Sequence, residues 1–478
     1  MSISKITCYG GAGTVTGANF LLDTHPVREK PRRIVGAEAA PNGEAFSNGA
    51  GGKILVDCGI HERENLFDRQ NYDAFPYDPK TIDALVITHA HADHIGRVPK
   101  LVRDGFGGVI YSTSATKDLS QIMFQDALKI MRNDMEKLGN KMLYEEADVT
   151  RALFLWEGHE YHEPIEIGDS TLLFLDAGHI LGSAMAKFTR NGRTIIFTGD
   201  LGNSPEPLLN DTESPEGANY LVMESVYGDR VHEGRDERQA RLRRAVEETR
   251  LGKGVLLIPS FSIERTQILL FELNNMIESG SMKKIPIYLD SPLAIAVTDA
   301  YRKYATLMNP AASAHFAKGD DPFSFPGLVL TPQAGDSAAI HKAPNPKVII
   351  AGAGMSHGGR IREHEHRYLS DKNATILFVG YQAPGSLGRR IEDGGKRVQI
   401  DHEHIKVHAR VESLTGYSGH KDRDGLIQFA ESAAETLERV FVTMGEPKAS
   451  LFLAQRLRDF IGIDAVVPET GQTFEIKL

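Results

Sequence analysis

The chain has 478 residues, 41% hydrophobic and 25% charged, the balance of a soluble globular protein with length for about three domains. Its 54 Lys+Arg against 64 Asp+Glu give a formal net charge of −10, which excludes a protein that coats nucleic acid or anionic membrane over its whole surface but leaves room for a local basic groove. The opening MSISKITCYGGAG lacks the apolar core of a signal peptide, and no run approaches the ~20 apolar residues of a membrane span. Only Cys8 and Cys58 occur, as expected of reduced thiols in a cytoplasmic protein, although neighbouring strands could bring them together.

Residues 3–8, 18–23 and 53–57 are apolar, β-branched runs bounded by Gly or Asp, which predicts strands. Between the last two, 26–52 is rich in Pro, Gly, Ala, Asn and charge, without a period. It reads as a long mobile loop within a hairpin, with Arg28, Lys30, Arg32 and Arg33 on a solvated face. DALVITHAHADH (83–94) is a buried-strand pattern running into a polar loop, and 116–147 has helical spacing. Strands are expected at 171–176, 184–189 and 193–198, the last running into Gly199-Asp200. From about 235 the texture changes to alternation: helix 235–251, strand 254–259, helix 262–279, strand 285–290 and helix 292–306. An irregular stretch near 309–345 follows, then strand 347–351, helix 359–370, strand 374–380 and a short helix near 385–392. Such alternation predicts an α/β unit with a largely parallel sheet. Residues 405–478 return to strand, helix 421–435, strand 439–443, helix 447–461 and two short strands, and no internal repeat is visible.

The strongest chemical signal is His89-Ala90-His91-Ala92-Asp93-His94 directly after the buried strand. Imidazole and carboxylate suit a divalent ion such as zinc. Extended backbone points residues i and i+2 the same way, so His89 and His91 can grip one ion, while Asp93 and His94, where the chain turns, can face a second. His179 in Ala177-Gly178-His179 and Asp200 in Thr198-Gly199-Asp200 each end a predicted strand. Three His and a shared carboxylate complete one site, and Asp200 can bridge to the other. Asp57 closes the strand 53–57 and is placed to orient a metal-binding imidazole or the backbone.

The order Asp57, HAHADH at 89–94, His179 and Asp200 resembles the metallo-β-lactamase superfamily. Glu224 in MESVYG, PSFSIERTQ (259–267), YLDSPLA (288–294), GMSHGGR (354–360), GYQAPGSLGRR (380–390) and GYSGHKD (416–422) resemble its β-CASP branch of nucleases. Within it, the chain is most similar to the bacterial RNA-processing group related to the pre-mRNA 3′-end endonuclease. The resemblance implies an α/β, four-layer αβ/βα metallo-β-lactamase fold interrupted by an α/β β-CASP cap: 1–226 and 405–478 form the first domain and 227–404 the cap, with the active site in the cleft between them. It implies that His89, His91 and His179 bind a first zinc, that Asp93 and His94 bind a second, and that Asp200 bridges. The activity implied is hydrolysis of phosphodiester bonds in single-stranded RNA by a dinuclear-zinc-activated hydroxide, with manganese as another possible metal. His420, held by Glu224, would protonate the leaving oxygen, a role that needs a charged, aimed imidazole. Relatives commonly pair, which implies a homodimer; no membrane partner is expected.

One position departs from that pattern. RNA-acting members usually carry a metal-ligating His just before Gly-Glu-Pro, where this chain has Met444-Gly445-Glu446-Pro447. A thioether is a poor ligand for a hard or borderline dication beside carboxylates, so weaker occupancy or altered geometry is expected at the second site. This motivates an alternative, a catalytically weakened RNA-binding or complex-scaffolding member; a DNA nuclease is another, since DNA-acting members also lack that His. A small-molecule hydrolase is disfavoured by the nuclease-like cap motifs.

Candidate phosphate binders are Ser260 and Arg265, Ser356, Gly358 and Arg360, and Ser386 with Arg389 and Arg390, because Gly-rich turns entering helices present free N–H groups. Lys396 and Arg397 add positive charge nearby. Other patterns are discounted. Gly11 to Gly17 lacks the acidic residue of a dinucleotide loop. Glu363-His364-Glu365-His366 and His402-Glu403-His404 read as solvated faces, and His159 and His162 miss zincin spacing. Trp156 and the scattered tyrosines form no base-stacking stripe.

Overall fold

The computed structural model describes residues 3–24, 52–61, 69–139, 141–383 and 385–478. The predicted loop at 26–52, with its four basic residues, lies outside them apart from Gly52. Two seven-stranded sheets face each other among the described residues. The first runs, in spatial order, Thr473–Lys477, Ile3–Gly10, Asn19–Asp23, Lys53–Val56, Ala84–Val86, Val109–Thr113 and Trp156–His159. The second runs Asp464–Val466, Arg439–Thr443, Tyr220–Glu224, Arg193–Phe197, Ala184–Arg190, Ser170–Asp176 and Ile165–Ile167. Each is antiparallel on one side and parallel on the other.

Side-chain alternation explains the layering. In Lys53–Val56 and Ala84–Val86, Ile54, Val56, Ala84 and Val86 join Phe174, Phe188, Phe197 and Phe441 of the opposite sheet in the core between sheets. Leu55 and Leu85, one residue out of phase, face away and pack with Leu101, Leu119 and Leu128 of the covering helices. The second sheet repeats the device: Met185, Ile196, Leu221 and Val440 turn outward onto Leu426 and Leu453 of the C-terminal helices. The layers are therefore αβ/βα.

The cap is a third, fully parallel sheet in the order Leu328–Leu330, Ile287–Asp290, Lys347–Ala351, Val255–Pro259, Ala374–Phe378 and Arg410–Ser413. Its strands Val255–Pro259, Lys347–Ala351 and Ala374–Phe378 are buried on both faces, which accounts for their continuous apolar runs. The last of them lies beyond residue 404, after the hairpin Arg397–Ile400 and Glu403–Lys406.

Local differences from the sequence reading have identifiable causes. The predicted helix 116–147 is two helices: Ser114–Leu138 stops at Gly139, which takes a left-handed φ of 69°, and Glu146–Phe154 starts where Asp148 accepts the backbone N–H of Glu145. The short strand Trp156–His159 that follows is too brief to carry a period, and its Trp156 is a core residue, bonded to Ser112. The stretch 309–345 contains helices Pro310–Ala317 and Ala334–Ile340 and the edge strand Leu328–Leu330. Cys8 and Cys58 are buried free thiols, each pushed up to about 12 by burial. No helix among the described residues is long and apolar enough to cross a membrane.

Candidate metal centre and cleft

Every metal-type residue singled out in the sequence comes from the end of a strand or the turn after it. Strand Ala84–Val86 runs into the HAHADH segment, in which Ala92–Ile95 forms a single helical turn. The loop after Lys53–Val56 lies directly on this turn: Cys58 N–H donates to His94 O at 2.7 Å and Ile60 N–H to Ala92 O at 3.1 Å. Gly59 permits this approach, since a Cβ there would stand 1.5 Å from the Asp93 carbonyl oxygen.

Four donor atoms converge from His89, His91, His179 and Asp200. His89 Nε2 and His179 Nε2 lie 3.1 and 3.3 Å from His91 Nδ1, and 3.3 and 3.6 Å from Asp200 Oδ2. Ligands at the ~2.0–2.1 Å typical of a tetrahedral N/O metal site stand about 3.3 Å apart, so these spacings fit a shared ion. Asp93, His94 and Asp200 form a second group. Here His94 Nε2 and Asp200 Oδ1, 3.4 Å apart, are buried and have no hydrogen-bond partner. Buried atoms left in that state are costly unless something binds them, and a cation satisfies both.

The protonation pattern agrees with metal binding at the first group, where two rings are neutral and Asp200 is ionised, while His94 of the second group would have to give up a proton to a metal. Burial and neighbouring imidazoles hold His91 and His179 well below the usual histidine range, leaving neutral, ligating rings. Burial would raise Asp200, yet His94, His89 and His420 keep it well below the carboxylate range. Burial opposes charge on His94, but Asp200, Asp57 and Asp93 push it well above the ordinary value.

Asp57 supports the ligands. It ends its strand with a φ of 60°, which turns the carboxylate beneath the HAHADH segment. Its Oδ2 lies 2.7 Å from His94 Nδ1, and Oδ1 accepts the Thr88 N–H at 2.9 Å. Thr88 Oγ1, 2.9 Å from Asp57 Oδ2 and 3.1 Å from His89 Nδ1, extends the same network. The sequence reading missed Thr88, although its place just before His89 was the available signal.

His420 and Glu224 meet although 196 positions separate them: His420 Nδ1 lies 3.1 Å from Glu224 Oε1. Glu224 is fixed by the backbone N–H groups of Leu201 and Val226 at 2.7 and 3.2 Å. Burial disfavours charge on His420, but Glu224 and Asp200 outweigh it and raise the imidazole to about 9. Its ring centroid is 4.7 Å from that of His179, so a protonated imidazole stands beside the metal-type cluster.

The cap residues divide. Arg265, at the start of helix Arg265–Glu278, is buried with its guanidinium against the His420 loop, and its Nη1 has no hydrogen-bond partner. A Cβ on Gly419 would lie 1.8 Å from Arg265 Nη2. Ser260 is buried and accepts from Thr266 Oγ1 at 3.0 Å. Ser356 is buried and hydrogen-bonded to Glu365, whereas a Cβ on Gly358 would meet nothing within 4 Å. Arg360 reaches Asp290 at 2.7 Å and the Pro332 carbonyl at 3.0 Å. Ser386 caps helix Leu387–Glu392 by accepting from Arg389 N–H at 3.1 Å; Arg389 pairs with Asp393, and Arg390 donates to Gly385 O. The solvated face expected for 363–366 is corrected at two positions: His364 and Glu365 are fully buried, the first 2.7 Å from Asp290.

Met444 sits at the end of strand Arg439–Thr443 with a φ of 45° and is buried between the sheets. Its sulfur packs on the first loop, 2.4 Å from where a Cβ on Gly11 would stand. A small cavity beside it is lined by Phe20, Asp57, His94, Phe197 and Thr198.

Three family descriptions match successive stretches: "Metallo-beta-lactamase superfamily" over 46–260, "Beta-Casp domain" over 266–391 and "Zn-dependent metallo-hydrolase RNA specificity domain" over 404–468. Ribonuclease TTHA0252 of Thermus thermophilus is 37% identical over 428 residues, covering 89% of this chain and 96% of that protein. The chain belongs to the β-CASP branch of the metallo-beta-lactamase superfamily. Within this β-CASP family, transcription termination factor FttA of Methanosarcina mazei is 31% identical over 94% of this chain and 68% of its own length. An RNase J-like protein of Methanocaldococcus jannaschii is 30% identical, covering 89% of this chain and 94% of that one. A crystal structure of a protein of unknown function from Enterococcus faecalis matches 99% of this chain and 100% of its own with a TM-score of 0.53; at 12% identity it speaks to the fold alone.

Proposed function

We propose that this β-CASP protein is a metal-dependent ribonuclease that hydrolyses phosphodiester bonds of single-stranded RNA with two zinc ions, or manganese in their place. The observation that carries the reading is the convergence of two ligand groups on Asp200 with His420, paired to Glu224, beside them. The names of the ribonuclease and RNase J-like relatives support RNA as substrate. His89, His91, His179 and Asp200 would hold one ion, and Asp93, His94 and Asp200 the other. The ions would supply acidification of water and neutralisation of charge on the phosphate oxygens.

The remaining work falls to side chains. Asp57 accepts from His94 Nδ1–H and so fixes which ring nitrogen faces a metal. Glu224 accepts from His420 Nδ1–H, leaving Nε2–H to protonate the leaving oxygen. Arg265, buried and incompletely bonded, is placed to meet a phosphate oxygen near His420. Ser356, Arg360 and Ser386 serve the same groove chiefly by shaping its loops, since their polar atoms are bonded within the cap.

The test presents zinc- or manganese-supplied protein with labelled single-stranded RNA, DNA of the same sequence, a thioester and a β-lactam. RNA hydrolysis with the other three spared is expected. Preference for DNA or for a small ester would replace the reading.

A further inference from the structure

A general acid needs its whole loop held, and the structure shows what holds the loop of His420. On one side the anchor is backbone: Lys421 N–H donates to Leu201 O at 2.7 Å, Asn203 N–H donates to Gly419 O at 3.1 Å, and Gly202 and His420 form an antiparallel bridge. On the other side it is the segment after Glu224. Tyr227 bridges Asp422 in parallel fashion, and Arg423 N–H donates to Arg230 O at 3.0 Å. The closing contacts there belong to His232. Its Nε2 lies 3.0 Å from the carbonyl oxygen of His420, and its own backbone N–H donates to Asp422 Oδ2 at 3.2 Å. Asp422 in turn caps helix Arg423–Glu431 by accepting from Gly425 N–H at 2.9 Å.

A carbonyl oxygen only accepts, so His232 must carry its proton on Nε2. The Tyr227 ring stands 4.4 Å from the His232 ring and 6.1 Å from that of His420, so His232 also packs on an aromatic ring that neighbours the general acid.

We infer that His232 is a positioning residue for proton donation by His420, acting through the His420 carbonyl rather than on substrate or metal. The inference rests on the general-acid reading of His420. It predicts a defect that depends on the leaving group: an alkoxide from RNA needs the proton, whereas nitrophenolate from a nitrophenyl phosphodiester departs without it.

The variants are His232→Phe, which keeps a ring against Tyr227 but removes the donor, His232→Gln, which can restore a donor, and His420→Ala as reference. For His232→Phe, kcat on RNA should fall about 10- to 100-fold with KM nearly unchanged. Turnover of the nitrophenyl ester should stay within about twofold, and metal content should equal wild type. His232→Gln should recover most of the loss. Equal losses on both substrates, loss of metal, or an undiminished RNA rate in His232→Phe overturns the role of His232. If His420→Ala itself fails to discriminate between the substrates, the general-acid reading falls and takes this inference with it.

Discussion

At the scale of single residues, what matters is which polar atoms are already committed. His94 Nδ1 is bonded to Asp57 while its Nε2, 3.4 Å from Asp200 Oδ1, has no hydrogen-bond partner, and that asymmetry makes Nε2 the candidate metal-facing nitrogen. Met444 is the counter-example, a residue where the family resemblance implies a ligand but whose sulfur is occupied in packing on Gly11. Met444→His should therefore increase metal bound at the second site and raise RNA cleavage several-fold, measured by metal analysis and initial rates on the same preparations. An unchanged rate from a wild type already holding two ions contradicts it. The candidate ligand cluster was legible because chemistry and spacing are local there: four ligand-type residues in six follow a buried strand. Glu224 and His420 became legible only through family motifs, because nothing local pairs residues that the fold alone brings together. Thr88 and His232 were not read at all, since their contributions are single bonds to a neighbour.

At the scale of elements, strands were easier to place than turns. Buried runs such as Lys347–Ala351 and Arg439–Thr443 and the helix Arg235–Leu251 match their expected limits, because each is bounded by a change in period or by Gly. The glycine-rich cap loops were harder, because one motif can bind phosphate or hold a loop. Arg360, Thr331, Ser337 and His364 all converge on buried Asp290. Burial would raise that carboxyl, but these partners hold it down at about 2. The folded value lies below the ~3.9 of a free Asp. Its stabilisation is therefore complete above about pH 4 and is lost as pH falls through 2. The stability gap between wild type and Asp290→Asn should narrow by about 2–3 kcal/mol between pH 5 and pH 2, read from urea unfolding at each pH. A gap that stays constant over that range contradicts this assignment.

At the scale of the whole molecule, the problem is how a chain of net charge −10 engages a polyanion. In the proposed reading, Asp57, Asp93, Asp200 and Glu224 would put part of the acidic excess to work holding cations and a proton donor, so RNA would meet favourable charge only in the cleft. That cleft depends on how the cap is seated. Arg238, buried in the first cap helix, lies 3.3 Å from Glu206 of the metallo-β-lactamase domain and from Glu272 of the cap, and donates to Gly416 O at 2.6 Å. Removing it strands two buried carboxylates, so Arg238→Ala should destabilise the protein by about 3–5 kcal/mol in urea unfolding followed by the single Trp156. A change below about 1 kcal/mol would show that the cap is held elsewhere.

The central claim, that Asp200 unites two ions for RNA hydrolysis, is tested most directly by measuring bound metal and single-stranded RNA cleavage together on wild type and Asp200→Ala. The account predicts cleavage and metal at both sites in wild type, the second incompletely filled, and a loss of metal with at least a ~10³-fold drop in rate in the variant. Intact RNA from metal-loaded wild type, or wild-type cleavage by Asp200→Ala, would contradict it.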